Sequence, residues 1–325
     1  MKTKSCLLLI TFLLIAFTQA MASPFIRIDR DDPQAWNGEL DNVRLLTGHL
    51  YEYREPNPKY GIDFLPSDEG LSTLNISGSV QFSEPQFRSL AESLRACAEG
   101  KRVIIIDLRQ ESHGFVNGIP ISWYGLHNWA NVGMSLEEIE RDEQERFEPM
   151  VGTVIKAYGT KEPVKETEIH VEHFMTEREL VESEGFEYFR LPIQDHTWPA
   201  PDTLDTFIEF VKDKDDVWLH FHCQAGKGRT GILMMVYDMM KNPQLAMEDI
   251  VVRQTMLGGS YPLYTEDNYK APYYAEKARM TPLFYEYVHA VNYEVSWSEW
   301  LSEKEEIRPK AGREEEIRPK AGREE

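Results

Sequence analysis

A short stretch of this chain carries side chains whose types and spacing suit phosphate chemistry. It covers residues 222–230 and has the sequence HCQAGKGRT. The thiol of Cys223 is a potential nucleophile, and the planar guanidinium of Arg229 can bind two phosphate oxygens at once. Gly226 and Gly228 allow the backbone to approach an anion without a clash from a β-carbon. The stretch therefore predicts a phosphate-binding turn that opens with a cysteine nucleophile.

The turn is expected to lie between a strand and a helix. Residues 217–221 form an apolar run that predicts a buried strand, and a helical pattern covers residues 231–240. Backbone N–H groups and the positive end of the helix dipole converge at such a turn and bind anions. The same donors favour a thiolate at Cys223. A buried cysteine in a glycine-rich turn of another α/β protein is the alternative interpretation.

The full pattern His-Cys-x-x-Gly-x-Gly-Arg-Thr resembles the signature loop of the cysteine-dependent protein tyrosine phosphatase superfamily. The resemblance implies that Cys223 attacks phosphorus and forms a phosphocysteine, while Arg229 binds the transferred group. It also implies that the hydroxyl of Thr230 helps the thiolate to leave again. The remaining residues of the turn are expected to bind the substrate: Gln224, Ala225, Gly226, Lys227 and Gly228.

Two further polar segments follow predicted strands. Residues 107–114 come directly after the apolar run 103–106, and residues 195–199 follow a predicted strand at 186–191. Polar groups at the carboxyl ends of strands in an α/β sheet lie where ligands bind. The order strand, polar loop, helix, strand, phosphate turn, helix predicts an α/β fold with a mostly parallel sheet flanked by helices. Capping boxes that begin at Ser83 and Thr176 predict two of the helices.

The chain is divided by composition into three parts. A basic start, an apolar core and small residues predict a signal peptide over residues 1–22, so we expect a secreted or periplasmic protein. Residues 23–301 are expected to form the catalytic domain, with a small inserted β subdomain around 131–175. Residues 302–325 contain a charged ten-residue unit that occurs twice and cannot bury a core. This tail is expected to be disordered, or to be a duplicated stretch of sequence.

The formal net charge of −20 limits the possible partners. Such a charge argues against binding of nucleic acid and against stable association with an anionic membrane. It does not exclude a local basic pocket. Removal of the predicted signal peptide leaves Cys97 and Cys223, which predicts neither a disulfide framework nor a bridge between these two residues.

Residues 107–114, 123–125 and 195–199, taken with the Cys223 turn, resemble the bacterial cysteine phytases, which are protein-tyrosine-phosphatase-like inositol polyphosphatases. The likeness covers nearly all of residues 40–301. It implies a phosphatase core with a small partial β-barrel subdomain and stepwise removal of phosphates from myo-inositol hexakisphosphate. The implied partner is therefore a small polyphosphorylated molecule, and no metal or other cofactor is implied.

The resemblance also assigns residues outside the turn. Asp195 matches the general acid of the family, with His196 beside it in the same loop. An acid is needed at this place because the leaving alkoxide must receive a proton.

Other residues match positions that bind the non-reacting phosphates. Arg44, Lys270 and Lys277 match basic residues with that role in the family. A further basic ligand is expected near Lys161, and Asn128 stands where the family often has an acidic residue.

Other functions remain open at this point. Lys227 makes the turn more similar to that of 3-phosphoinositide phosphatases, and the loop also fits a protein tyrosine or dual-specificity phosphatase. A non-catalytic phosphate-binding module is the remaining class, and the presence of Cys223, Arg229 and Asp195 argues against it.

Overall fold

The structure is a computed structural model that describes residues 24–29, 40, 43–45, 53–159, 166–291 and 293–307. Three predicted features lie outside the described residues: the signal peptide at 1–22, the basic ligand near Lys161 and most of the charged repeat.

Strands and helices alternate over most of the described chain. The strands are β1 (Phe25–Ile28), β2 (Arg44–Leu45), β3 (Ile76–Ser79), β4 (Arg102–Arg109), β5 (His113–Val116), β6 (Ile119–Tyr124), β7 (Val154–Tyr158), β8 (Glu166–His170), β9 (Phe174–Met175), β10 (Glu187–Ile193) and β11 (Val217–His222). The helices are α1 (Glu84–Ala98), α2 (Leu136–Phe147), α3 (Glu177–Ser183), α4 (Pro201–Val211), α5 (Gly228–Lys241), α6 (Met247–Met256), α7 (Ala271–Val291) and α8 (Trp297–Ile307).

The central sheet has the strand order β10-β4-β11-β3-β2. The strands from β10 to β3 are parallel to their neighbours, and β2 joins the edge antiparallel to β3. In this register His222 lies opposite Asp107, and Ile193 lies opposite Arg109. The carboxyl ends of β4, β10 and β11 therefore meet at one edge, where ligands bind in sheets of this kind. The predicted mostly parallel α/β sheet is confirmed.

Helices cover both faces of the central sheet. Ile104 and Ile106 of β4 contribute to a core shared with α4, α5, α7 and α8. Val103 and Ile105 alternate with them and pack in a second core with α1 and α3. Successive side chains of a strand point to opposite faces, so an unbroken apolar run suits a strand that is covered on both sides.

A second sheet packs a separate core. Its order is β8-β7-β1-β6-β5-β9, and the core against it contains Ile26, Ile121 and Ile155 of the sheet together with Phe147 of α2. The sheet thus takes β1, β5 and β6 from outside the expected insert at residues 131–175. The second sheet therefore extends beyond the limits expected for the β subdomain. Local sequence patterns do not reveal this, because β1 pairs with β6 and β7, which lie far along the chain.

Both predicted capping boxes are present. The side chain of Ser83 accepts a hydrogen bond at the start of α1, and that of Thr176 does the same for α3. The last helix continues to Ile307, within the segment expected to be disordered from residue 302. Among the described residues, none of the helices is long and apolar enough to span a membrane.

Candidate active site

The phosphate turn connects the end of β11 to the start of α5. Cys223 is the first residue after the strand and is only 2% exposed. The hydroxyl of Thr230 donates a hydrogen bond to its sulfur at 3.2 Å. Gly226 has a φ of +62°, and a β-carbon there would lie 2.6 Å from the carbonyl oxygen of Ser79. Glycine is therefore needed at this point for both its conformation and its size.

The guanidinium of Arg229 is buried and held by a carboxylate. Its Nη1 donates to Oε2 of Glu111 at 2.7 Å, and its Nη2 donates to Oε1 at 3.0 Å. Nη1 also lies 3.2 Å from the carbonyl oxygen of Ile193. The Nε atom is buried and has no hydrogen-bond partner in the described part of the chain. This N–H is therefore available to an anion bound at the turn.

Glu111 is itself fixed by two further donors. Arg109 donates from Nε at 2.8 Å, and Asn128 donates from Nδ2 at 2.7 Å. Burial alone raises the pKa of Glu111, but Arg229 and Arg109 outweigh this effect and hold the pKa well below its usual value. The carboxylate thus stays ionised between the two guanidinium groups and orients Arg229.

Asp195 lies just beyond the end of β10, close to the turn. One of its carboxylate oxygens lies 3.5 Å from Nε of Arg229, and the other accepts a hydrogen bond from Asn128 at 3.2 Å. The indole N–H of Trp129 donates to the backbone carbonyl of Asp195 at 2.9 Å. Burial alone raises the pKa of this carboxyl. Arg229, His196 and Asn128 together outweigh burial, so the pKa lies below its usual value.

His196 is adjacent to the acid but has a different role in the geometry. Its backbone N–H donates to the Asp195 carboxylate at 2.9 Å, and its φ is +75°. This φ lies in the left-handed region, which residues other than glycine rarely adopt. Because its backbone makes this contact, His196 helps to position the acid.

A cavity of about 270 Å³ opens in front of the turn and Asp195. Several predicted residues of the turn line it, together with lysines from other segments. The predicted residues that line the cavity are Asp195, His196, Gln224, Ala225, Lys227, Gly228, Arg229, Lys270 and Lys277. Lys59, Tyr60 and Tyr264 also line the cavity and were not predicted.

Lys277 is the most buried of the lysines in the cavity wall, at 7% exposure. Its Nζ lies 4.8 Å from the ring centroid of Tyr274. Burial lowers the pKa of Lys277 to about 8, with Asp195 opposing this effect and the nearby Lys270 adding to it. A bound polyanion would raise this pKa and so favour the charged form of Lys277.

Arg44 lies against the backbone of the phosphate turn. Its guanidinium is buried and donates to the backbone carbonyl of Gly226, with Met234 also in contact. Arg44 is not among the residues that line the cavity, as is also true of Cys223, and its expected role in binding a substrate phosphate stays a prediction. Burial lowers its pKa to about 10 and Cys223 opposes this effect, so Arg44 keeps its charge beside the sulfur and supports the turn.

A buried network of charged residues supports the strand before the turn. Nε2 of His222 lies 2.5 Å from Glu177, and Asp107 lies within 4 Å of the same atom. His222, Glu177 and Asp107 are close enough together to hold a metal ion. Arg190 and His113 already contact the Asp107 carboxylate, each at 3.3 Å. These contacts suit an internal ion network that fixes the end of β11.

Known proteins are similar to this chain in sequence and in structure. The family model of the protein-tyrosine-phosphatase-like phytases matches residues 106–241, and its description reads "inositol hexakisphosphate". The tandemly repeated phytase of this type from Mitsuokella multacida is 38% identical with a TM-score of 0.80, over 86% of this chain and 49% of that chain. The myo-inositol phosphatase from that organism was solved in complex with myo-inositol-(1,3,4,5)-tetrakisphosphate. It is 37% identical with a TM-score of 0.78, again over 86% of this chain and 49% of that chain.

Two further relatives are matched over very different shares of their own length. The phytase of this type from Bdellovibrio bacteriovorus is 29% identical with a TM-score of 0.65, over 87% of this chain and 96% of that chain. The effector protein hopD2 of Pseudomonas syringae pv. tomato is 29% identical over 248 residues, which are 71% of this chain and 52% of that protein. The chain spans about half the length of the Mitsuokella and Pseudomonas relatives.

The chain is thus similar to protein-tyrosine-phosphatase-like phytases, over residues 106–241 in the family model and over most of its length in the solved structures.

Sequence reasoning missed some residues of this site. Glu111 lies within the segment 107–114, but no local pattern links it to Arg229. Asn128 was considered as a family position and lies between Glu111 and Asp195. Lys59 gave no signal, because it stands in a proline-rich stretch with little periodicity.

Proposed function

We propose that the chain removes phosphates stepwise from myo-inositol hexakisphosphate through a phosphocysteine. The observation that carries this proposal is that Asp195, Arg229, Lys270 and Lys277 line one cavity at the turn that begins with Cys223. Such a cavity offers a reaction centre and separate cations for the other phosphates. The structural similarity to an enzyme in complex with an inositol tetrakisphosphate supports the same class of substrate.

In the first step, the sulfur of Cys223 attacks phosphorus in line with the leaving oxygen. A sulfur–phosphorus bond forms as the bond to the inositol oxygen breaks. The Nε–H of Arg229 and the backbone N–H groups of the turn stabilise the charge on the equatorial oxygens. Asp195 donates its proton to the leaving alkoxide, which departs as an alcohol.

In the second step, water attacks the phosphocysteine and returns the enzyme to its starting state. Asp195, now ionised, accepts a proton from the attacking water. The sulfur–phosphorus bond breaks and Cys223 leaves as a thiolate. The hydroxyl of Thr230, 3.2 Å from the sulfur, stabilises this thiolate as it forms.

The proposal includes export of the protein. The predicted signal peptide over residues 1–22 supports it, as does the similarity to a bacterial protein named as an effector. Cell fractionation of a strain that expresses the full chain tests this part, and recovery of the uncleaved chain in the cytoplasm would contradict it. The overall acidity supports a small soluble substrate over nucleic acid or an anionic membrane.

The reaction is tested by measuring phosphate release from myo-inositol hexakisphosphate and from a phosphotyrosine peptide side by side. We expect several phosphates to be released from the inositol compound, at a kcat/KM well above that for the peptide. The Cys223→Ser variant is the control, and it should bind the inositol compound without releasing phosphate. A preference for the peptide would reject the proposed substrate in favour of a tyrosine phosphatase.

A further inference from the structure

We propose that Lys59 and Glu266 form a distal subsite of the cavity that senses how many phosphates the substrate carries. In this inference, which rests on the proposed function, Lys59 binds a non-reacting phosphate and Glu266 weakens that binding by repulsion. Neither residue had a role in the sequence analysis.

Both residues belong to the wall of the same cavity as the reaction centre. Lys59 and Glu266 line it together with Asp195 and Arg229. Nζ of Lys59 lies 3.9 Å from Oε1 of Glu266, and their side chains are 42% and 44% exposed. A ligand that fills the cavity thus meets one positive and one negative side chain at this wall.

The backbone and neighbouring rings fix the position of Lys59. The side chain of Asn57 accepts a hydrogen bond from the Lys59 N–H at 3.1 Å. Tyr60 packs against Tyr261 and Tyr264, each with ring centroids 5.2 Å apart. The ammonium of Lys59 lies 4.6 Å from the ring centroid of Tyr264. These contacts place its charge at a defined point on the wall.

The ion pair between the two residues is weak enough for a phosphate to replace it. At 3.9 Å the charged atoms are too far apart for a good hydrogen bond, and half-exposed pairs of this kind contribute little to stability. A phosphate carries more charge than a carboxylate and competes well for Lys59. Glu266 then remains beside the bound phosphate and repels it, which lowers the affinity for densely phosphorylated ligands.

The subsite is tested by calorimetric binding of myo-inositol hexakisphosphate at low salt, in the Cys223→Ser background so that no turnover occurs. Lys59→Met should raise the Kd about tenfold, as expected when one charged contact is lost. Glu266→Gln should lower the Kd about threefold through the loss of repulsion.

Lys241 and Asp215 provide a matched control pair. Their side chains form an ion pair at 2.8 Å, near the end of α5 and the start of β11. That place is at the opposite edge of the sheet from the phosphate turn. Lys241→Met and Asp215→Asn change the net charge by the same amounts as the test variants, and they should leave the Kd almost unchanged.

The possible outcomes separate this inference from the proposed function. If the wild type releases phosphate from the inositol compound but Lys59→Met binds no more weakly than Lys241→Met, the subsite is overturned and the reaction stands. If binding depends on Lys59 but the wild type releases no phosphate, the proposed reaction fails and the subsite stands. Absence of any binding overturns the subsite.

Discussion

Arg229 donates two hydrogen bonds to the carboxylate of Glu111, at 2.7 Å and 3.0 Å, across 118 positions of the sequence. The pair uses both terminal nitrogens of the guanidinium and leaves its Nε–H without a hydrogen-bond partner among the described residues, with the Asp195 carboxylate 3.5 Å away. Because Glu111 is held in turn by Arg109 and Asn128, the direction of that N–H is fixed before a phosphate arrives. Such prior orientation avoids reorganisation when charge develops in the transition state.

Replacement of Glu111 by Gln tests this orienting role. The variant can keep one hydrogen bond to Arg229 but removes the negative charge that lies between the two buried guanidinium groups of Arg229 and Arg109. We expect turnover of an aryl phosphate to fall by roughly 10²-fold, and the free energy of unfolding to fall by about 3–5 kcal/mol. Steady-state kinetics and denaturant unfolding measure the two effects. A folded variant with turnover within twofold of the wild type would show that Glu111 does not orient Arg229.

Asp195→Asn tests proton donation to the leaving group. Turnover of alkyl phosphates should fall by roughly 10²–10⁴-fold, since an amide cannot supply the proton. The loss should be much smaller for an aryl phosphate with an activated leaving group, which needs little protonation. Equal losses on both kinds of substrate would remove Asp195 as the general acid.

The pH profile gives a second measure of the same residue. Arg229, His196 and Asn128 together lower the pKa of Asp195 in the free enzyme, so the protonated form becomes rarer as the pH rises. A substrate phosphate beside the carboxyl raises this pKa again. We therefore expect kcat for an alkyl phosphate, which reports groups in the enzyme–substrate complex, to fall from mildly acidic pH upward, and Asp195→Asn to lack that decline.

The central sheet was predictable because its signals are local. The apolar run at residues 103–106 showed a strand covered on both faces, and the capping box at Ser83 showed where α1 begins. The turn at Cys223 was recognisable because a strand, glycines and a helix must occur together there. Each of these features is determined by a few consecutive residues.

The remaining features depend on contacts between distant segments. β1 pairs with β6, far along the chain, so the second sheet exceeded its expected limits. Lys59 reaches the cavity because its loop packs on Tyr261 and Tyr264, which no pattern around Lys59 indicates. Arg44 contacts Gly226 because the antiparallel pairing of β2 places it beside the turn, and no pattern around Arg44 indicates this contact.

Lys277 should give substrate binding its own pH dependence. Its pKa is lowered to about 8 by burial, so the side chain is charged below that pH and loses its charge as the pH rises through it. Only the charged form attracts a phosphate, and KM for myo-inositol hexakisphosphate should therefore increase as the pH rises above about 8. The Lys277→Met variant should have a higher KM at neutral pH and a flatter profile. An unchanged profile in that variant would assign the dependence to another group.

The substrate itself is tested by removing two cations together. The protein carries a net charge of −20, so a substrate with several phosphates is repelled at long range. Salt screens this repulsion beyond roughly 8–10 Å, whereas Lys270 and Lys277 act inside the cavity. Each charged hydrogen bond to a non-reacting phosphate contributes about 1.5–3 kcal/mol, so two together outweigh the surface repulsion.

The double variant Lys270→Met with Lys277→Met should therefore raise KM for myo-inositol hexakisphosphate by about 10²-fold or more. It should leave the kinetics for a simple aryl phosphate nearly unchanged, because that substrate offers these lysines no second phosphate. The ratio of the two effects is the measurement, since general damage to the fold would impair both substrates equally. If the double variant has the wild-type KM for myo-inositol hexakisphosphate, the proposal of a polyphosphorylated substrate loses its main physical support.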